Sequence, residues 1–134
     1  MAQSRSSAKA FFVGLLALAA AQAGVGAEKV NPLLARDLAG LDGKEGVMLT
    51  VEYAPGASST QHRHNAHVFV YVLEGSVMMQ VEGGKPVTLK PGQTFYESPA
   101  EVHTVSKNAS ASKPAKFLVF MVKEKGAAPV LPAN

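Results

Sequence analysis

From Val47 to Val122 the chain is cut into short apolar segments by turn signals that recur about every 8–12 residues, a spacing that favours an all-β sandwich or barrel over helices. "VMLTVEY" (Val47–Tyr53) alternates: Val47, Leu49, Val51 and Tyr53 on one face, Met48, Thr50 and Glu52 on the other. That period of two predicts a half-buried strand. "APGASS" breaks it. Strand-like runs follow in "HVFVYVL", "SVMMQVE", "VTLK", "TFYES", "VHTVS" and "KFLVFMV". Each is closed by Gly- or Pro-containing punctuation, and no segment carries the 3.6-residue period of an amphipathic helix.

Two of these strands, Val68–Leu73 and Phe117–Val122, are apolar on both faces. An antiparallel strand with one wet face should alternate. The second face is therefore expected to be covered, either by a partner subunit, which gives a homodimer, or by loops of the same chain.

The first 27 residues differ from the rest. Arg5 and Lys9 precede the uninterrupted apolar run "AFFVGLLALAAA" (Ala10–Ala21), and small residues follow. This is a signal-peptide pattern, too short for a comfortable membrane span. Cleavage after Ala23 or Ala27 fits, Ala27 being preferred; an uncleaved anchor is the alternative. The expected organisation is a leader over 1–27, one domain over 28–124 and a flexible tail over 125–134, in a periplasmic or secreted protein with no stable membrane span after cleavage. The 134-residue chain has 13 basic and 10 acidic side chains. Losing Arg5 and Lys9 leaves 11 against 10, no basis for binding nucleic acid or an anionic membrane. The chain has no cysteine, so disulfides and thiolate ligands are excluded.

Of four histidines, three fall in "QHRHNAH", at His62, His64 and His67, and the fourth is His103. In a strand, His62 and His64 share a face. If Asn65-Ala66 forms a two-residue hairpin turn, His64 and His67 oppose each other and all three imidazoles converge. His103, in the strand-like "VHTVS", is the outside ligand that an enclosed ion needs. Imidazoles suit Fe, Mn, Ni, Cu, Co or Zn as divalent ions, and the ligand type does not choose among them. Glu97 and Glu101 are expected as solvated charges. Phe69, Phe95 and Tyr96 are expected as core or pocket lining. "NAS" at Asn108 formally matches a glycosylation acceptor.

"PGASSTQHRHNAHVFVYVLEGSV" (Pro55–Val77) resembles the first cupin motif, with Gly56, His62, His64 and Gly75 in place. "PGQTFYESPAEVHTVSKN" (Pro91–Asn108) resembles the second, through Gly92, Pro99, His103 and Asn108. The resemblance covers about residues 40 to 122. It implies a double-stranded β-helix, the cupin jelly-roll barrel, with a metal held inside by the motif histidines and often a carboxylate. Two departures stand out. The position usual for Glu is Val68, which cannot ligate, and adjacent His67 has opposite parity along the strand. Either a local shift turns His67 inward, the favoured reading, or it points out and three histidines remain. The second motif is one residue short, with Glu101 where a glycine is usual.

The resemblance implies dioxygenases, isomerases, decarboxylases, lyases and non-catalytic binders alike. The expected function is an exported, metal-dependent, dioxygenase-like cupin acting on a small molecule. The alternative is a non-enzymatic metal- or small-ligand-binding cupin of the cell envelope. No nucleophile elbow, P-loop or dinucleotide-binding motif competes.

Overall fold

The structure, a computed structural model, describes residues 27–134. The chain is all-β, with no helix among the described residues. Ten strands run in order: β1 (Glu28–Asp37), β2 (Lys44–Tyr53), β3 (His62–Arg63), β4 (Ala66–Glu74), β5 (Val77–Val81), β6 (Val87–Leu89), β7 (Thr94–Glu97), β8 (Val102–Asn108), β9 (Ala115–Glu124) and β10 (Leu131–Pro132). They form two five-stranded sheets, β1-β2-β9-β4-β7 and β10-β3-β8-β5-β6, paired antiparallel throughout. This is the jelly roll that the cupin resemblance implies.

The core lies between the sheets. On β4, Val68, Val70 and Val72 are buried; on β9, Phe117, Val119 and Met121; on β2, Leu49, Val51 and Tyr53. Each such side chain contributes about 1.5–3 kcal/mol by leaving water. The alternation read in "VMLTVEY" is thus the inward face of β2. The other faces of β4 and β9 are not covered by loops of the described chain. Phe69, Tyr71 and Leu73 stand exposed, and Leu118, Phe120 and Val122 are half-buried.

Two features go beyond the sequence reading. β1 carries no strand signal in "EKVNPLLARD", yet pairs with β2 from Glu28↔Tyr53 to Asp37↔Glu45. It is an exposed edge strand, and Pro32 sits beside its bulge, a position that sheets allow proline. The segment 125–134, expected as a flexible tail, makes contacts with the barrel. Lys123 Nζ donates to the Ala127 carbonyl at 2.6 Å, Gly126 N donates to the Glu45 carboxylate at 3.1 Å, and β10 pairs with β3. The expected leader lies, apart from Ala27, outside the described residues.

Gly75 joins β4 to β5 at φ +69°, and a Cβ there would sit 2.3 Å from the Pro114 carbonyl oxygen, so only glycine fits. Asn108 is buried, and its amide donates to the carbonyls of Ala54 (3.1 Å) and Lys113 (2.7 Å). Its side chain locks the loop before β9 and has no room for a glycan.

Candidate metal centre

His62 on β3 lies directly opposite His103 on β8, so both rings enter the barrel from one sheet. His64, two residues on, shares their side. The ring centroids of His62 lie 4.8 Å from His64 and 5.0 Å from His103, and one nitrogen from each of the three falls within 4.8 Å of the others. His64 and His103 are buried and His62 is half-buried. Phe95 stacks on His103 at 5.9 Å and fixes its plane.

The outward nitrogens fix the tautomers. His62 Nδ1 is 2.7 Å from the Thr60 carbonyl oxygen, and His64 Nδ1 is 2.5 Å from that of Pro129. A carbonyl only accepts, so both Nδ1 atoms carry a proton, and in the neutral rings that ligate a metal both Nε2 atoms present lone pairs. Those lone pairs face each other across 3.1 Å. Two acceptors at that distance repel unless a cation lies between them. Burial, above all, pushes the His62 imidazole below its ordinary pKa, and the neighbouring His64 and His103 rings push the same way, against the Thr60 carbonyl. The neutral, ligating form is therefore favoured.

Glu97, expected as a solvated charge, is 2% exposed and belongs to this cluster. It comes from β7 in the facing sheet. Its Oε1 is 3.0 Å from His103 Nδ1, and its Oε2 is 3.9 Å from His64 Nε2. Among the described residues, Glu97 Oε2 and both ring nitrogens of His103 have no hydrogen-bond partner. A signal was present in "TFYES": Glu97 shares the parity of Phe95, which was expected to line the pocket. Glu101 instead caps a turn, accepting from Ser98 N at 2.6 Å.

His67 does not join the cluster. The expected Asn65-Ala66 hairpin does not form, because β3 and β4 belong to different sheets and the chain crosses between them at His64-Asn65. Ala66 starts β4 with its side chain inward, so His67 points out and Val68 points in. His67 Nδ1 pairs with the Tyr96 hydroxyl at 2.7 Å on the outer surface. Tyr96 and Phe69 are likewise outside, whereas Phe95 is the one of the three aromatics that lines the interior side.

The histidines open into a cavity of about 350 Å³ between the sheets. Its walls are Leu49, Val51, Val70, Met79, Val119 and other apolar residues, and Pro129 and Val130 close one side. A second polar point is the Tyr53 hydroxyl, bonded to Ser106 Oγ at 2.8 Å and to Ser59 Oγ. Burial raises the Tyr53 pKa, so the phenol stays protonated. Three imidazole nitrogens with converging lone pairs are a donor set that suits a divalent metal.

Comparison with known proteins agrees with this architecture. The family profile of the cupin domain matches residues 49–121. No curated protein sequence matches the chain. Among solved structures, a DMSP lyase of Ruegeria pomeroyi is 24% identical with a TM-score of 0.57, over 64% of this chain and 42% of that one. A cupin-like protein of Thermotoga maritima is 22% identical at TM-score 0.62, over 78% and 74%. A cupin-2 domain of Rhodospirillum rubrum is 20% identical at 0.59, over 78% and 64%. The chain thus spans less than half the length of the lyase, and at these identities the likeness is one of fold.

Proposed function

The chain belongs to the cupin domain family, and on that premise we propose that it is an exported metalloenzyme acting on a small organic molecule inside the barrel, by dioxygenase-like chemistry. The observation that carries the reading is the pair of Nε2 lone pairs of His62 and His64, held 3.1 Å apart at the wall of a largely apolar cavity. His62, His64 and His103 would hold the ion. Once bound, a divalent metal with open positions supplies a Lewis acid, a template for a bidentate substrate or a means of activating dioxygen. The chain's own residues do the rest. Val, Leu and Met side chains exclude water from the substrate body. The protonated Tyr53 hydroxyl and its Ser59 and Ser106 partners offer the hydrogen bonds that orient a polar group.

The test is a screen of protein loaded with each candidate metal against small diols, thiols and enols, read by oxygen consumption and product formation, with His103→Ala as the blank. Metal-dependent oxygen uptake that the variant lacks is the expected result. Because a DMSP lyase shares the fold, DMSP cleavage is scored alongside. Tight binding without turnover of any compound sinks the enzymatic reading in favour of the non-catalytic binder.

Export and self-association complete the proposal. The leader pattern supports processing after Ala27, and β1 begins at Glu28, so cleavage there removes no strand. Intact mass from a secreting host is expected to start at Glu28; a soluble protein retaining Met1 or Ala2 contradicts export. The apolar outer face of β4, β7 and β9 supports a homodimer.

A further inference from the structure

We propose that Glu97 is the fourth ligand of the metal site, a carboxylate moved one strand sideways from the position where the cupin resemblance expects it. This rests on the reading of the three histidines as a metal centre and adds to it a residue that neither the sequence pattern nor the histidine cluster assigns.

The expected position is Val68, which is 1% exposed, points into the barrel and has no donor atom. Val68 on β4 is in register with Glu97 on β7. Residues directly opposed on an antiparallel pair project to the same face, with Cβ atoms about 4.5–5.5 Å apart. A glutamate at either position therefore enters the same end of the cavity, displaced by one strand spacing. From β7 the Glu97 side chain reaches the imidazoles of His103 and His64, on the sheet opposite and at the chain's crossing.

Charge gives the second argument. Among the described residues no Lys or Arg lines the cavity, and the Glu97 carboxylate is more completely buried than any histidine of the cluster. Burying a carboxylate without a cation opposite is strongly unfavourable. A divalent ion among the three imidazoles removes the conflict, and the carboxylate then halves the buried charge of that ion.

A purely orienting role, with Glu97 accepting from His103 Nδ1–H, fits less well. The two atoms are 3.0 Å apart, but His103 Nδ1 makes no aligned hydrogen bond, and Glu97 Oε2 is left over on the side of His64 Nε2. A separation near 3 Å without hydrogen-bond alignment is what two ligands of one ion display.

The experiment is a Co(II) titration against a chromophoric chelator, with visible spectra of the bound ion, for the parent, Glu97→Gln, Glu97→Val and the double variant Val68→Glu/Glu97→Val. Loss of an outer-shell partner typically costs about 10–100-fold in affinity, so Glu97→Gln is expected to lose more than about 100-fold and to change the Co(II) bands. The double variant, with the carboxylate returned to β4, is expected to recover most of that loss. Glu97→Gln with the parent's affinity and spectrum overturns the proposal. A fall in the melting temperature of the metal-free variant with an unchanged Co(II) spectrum does the same, since it marks a structural role. Should Glu97→Gln not fold, the double variant decides: a folded double variant that binds no better than Glu97→Val overturns it. A parent that binds no Co(II) removes the metal reading itself and Glu97 with it.

Discussion

At the scale of single residues, the site follows from which nitrogen of each imidazole is free. His62 and His64 spend Nδ1 on backbone carbonyls and turn Nε2 inward, while His67 spends its Nδ1 on Tyr96 outside the barrel. Metal content of purified single variants is therefore expected to fall close to zero for His62→Ala, His64→Ala and His103→Ala and to stay at the parent's level for His67→Ala. Full occupancy in His62→Ala and His64→Ala would contradict the site. The first three residues were legible in the sequence because His-x-His fixes a shared face. His67 was misplaced because its direction depends on whether the chain turns back or crosses to the other sheet after His64, and the same four residues permit either. Acidity gives a second prediction. The unfolded chain protonates His62 near pH 6.5, whereas burial keeps the folded imidazole neutral to lower pH. Between those values the unfolded state binds more protons, so stability rises with pH. The melting temperature of the metal-free protein is expected to drop as pH falls below about 6.5, and His62→Gln to flatten the drop.

At the scale of elements, the strands with clean alternation or strong apolar runs were legible: β2, β4, β5, β8 and β9 all fall on segments expected to be strands. What escaped were the edges. β1 lacks apolar periodicity because nearly all of it faces water, and β10 is a two-residue strand whose partner, β3, is equally short. Neither has a local signal, since both are held by pairing rather than by propensity. Yet the stretch leading into β10 is where the terminal segment acts on the site: Pro129 holds His64 Nδ1 and Val130 lines the cavity. Truncation after Ala128 is expected to leave the two-sheet core folded, by circular dichroism, and to weaken metal binding about 10–100-fold, as loss of an outer-shell partner does. An unchanged affinity would show that the segment does not position His64.

At the scale of the whole molecule, the barrel separates two faces of the same strands. The inner face of β4 and β9 makes the core, and the outer face presents Phe69, Tyr96 and Phe120 in contact, with ring centroids 5.2 and 6.1 Å from Phe69. The both-sided apolarity of these strands was legible, but what covers the outer face is not encoded in one chain's periodicity. Monomers rarely leave an apolar patch of this kind open. Light scattering at micromolar concentration is expected to give twice the chain mass, and Phe69→Glu to give the monomer; a monomeric parent rules the dimer out. The inner face leads to the central claim, that the barrel holds one metal ion on His62, His64 and His103. Anomalous scattering at the absorption edge of the loaded metal, from crystals of the protein, tests it most directly. The predicted result is a single strong peak inside the barrel, about 2.0–2.2 Å from a ring nitrogen of each of the three histidines. A barrel without such a peak, with ions only at the surface, would contradict it.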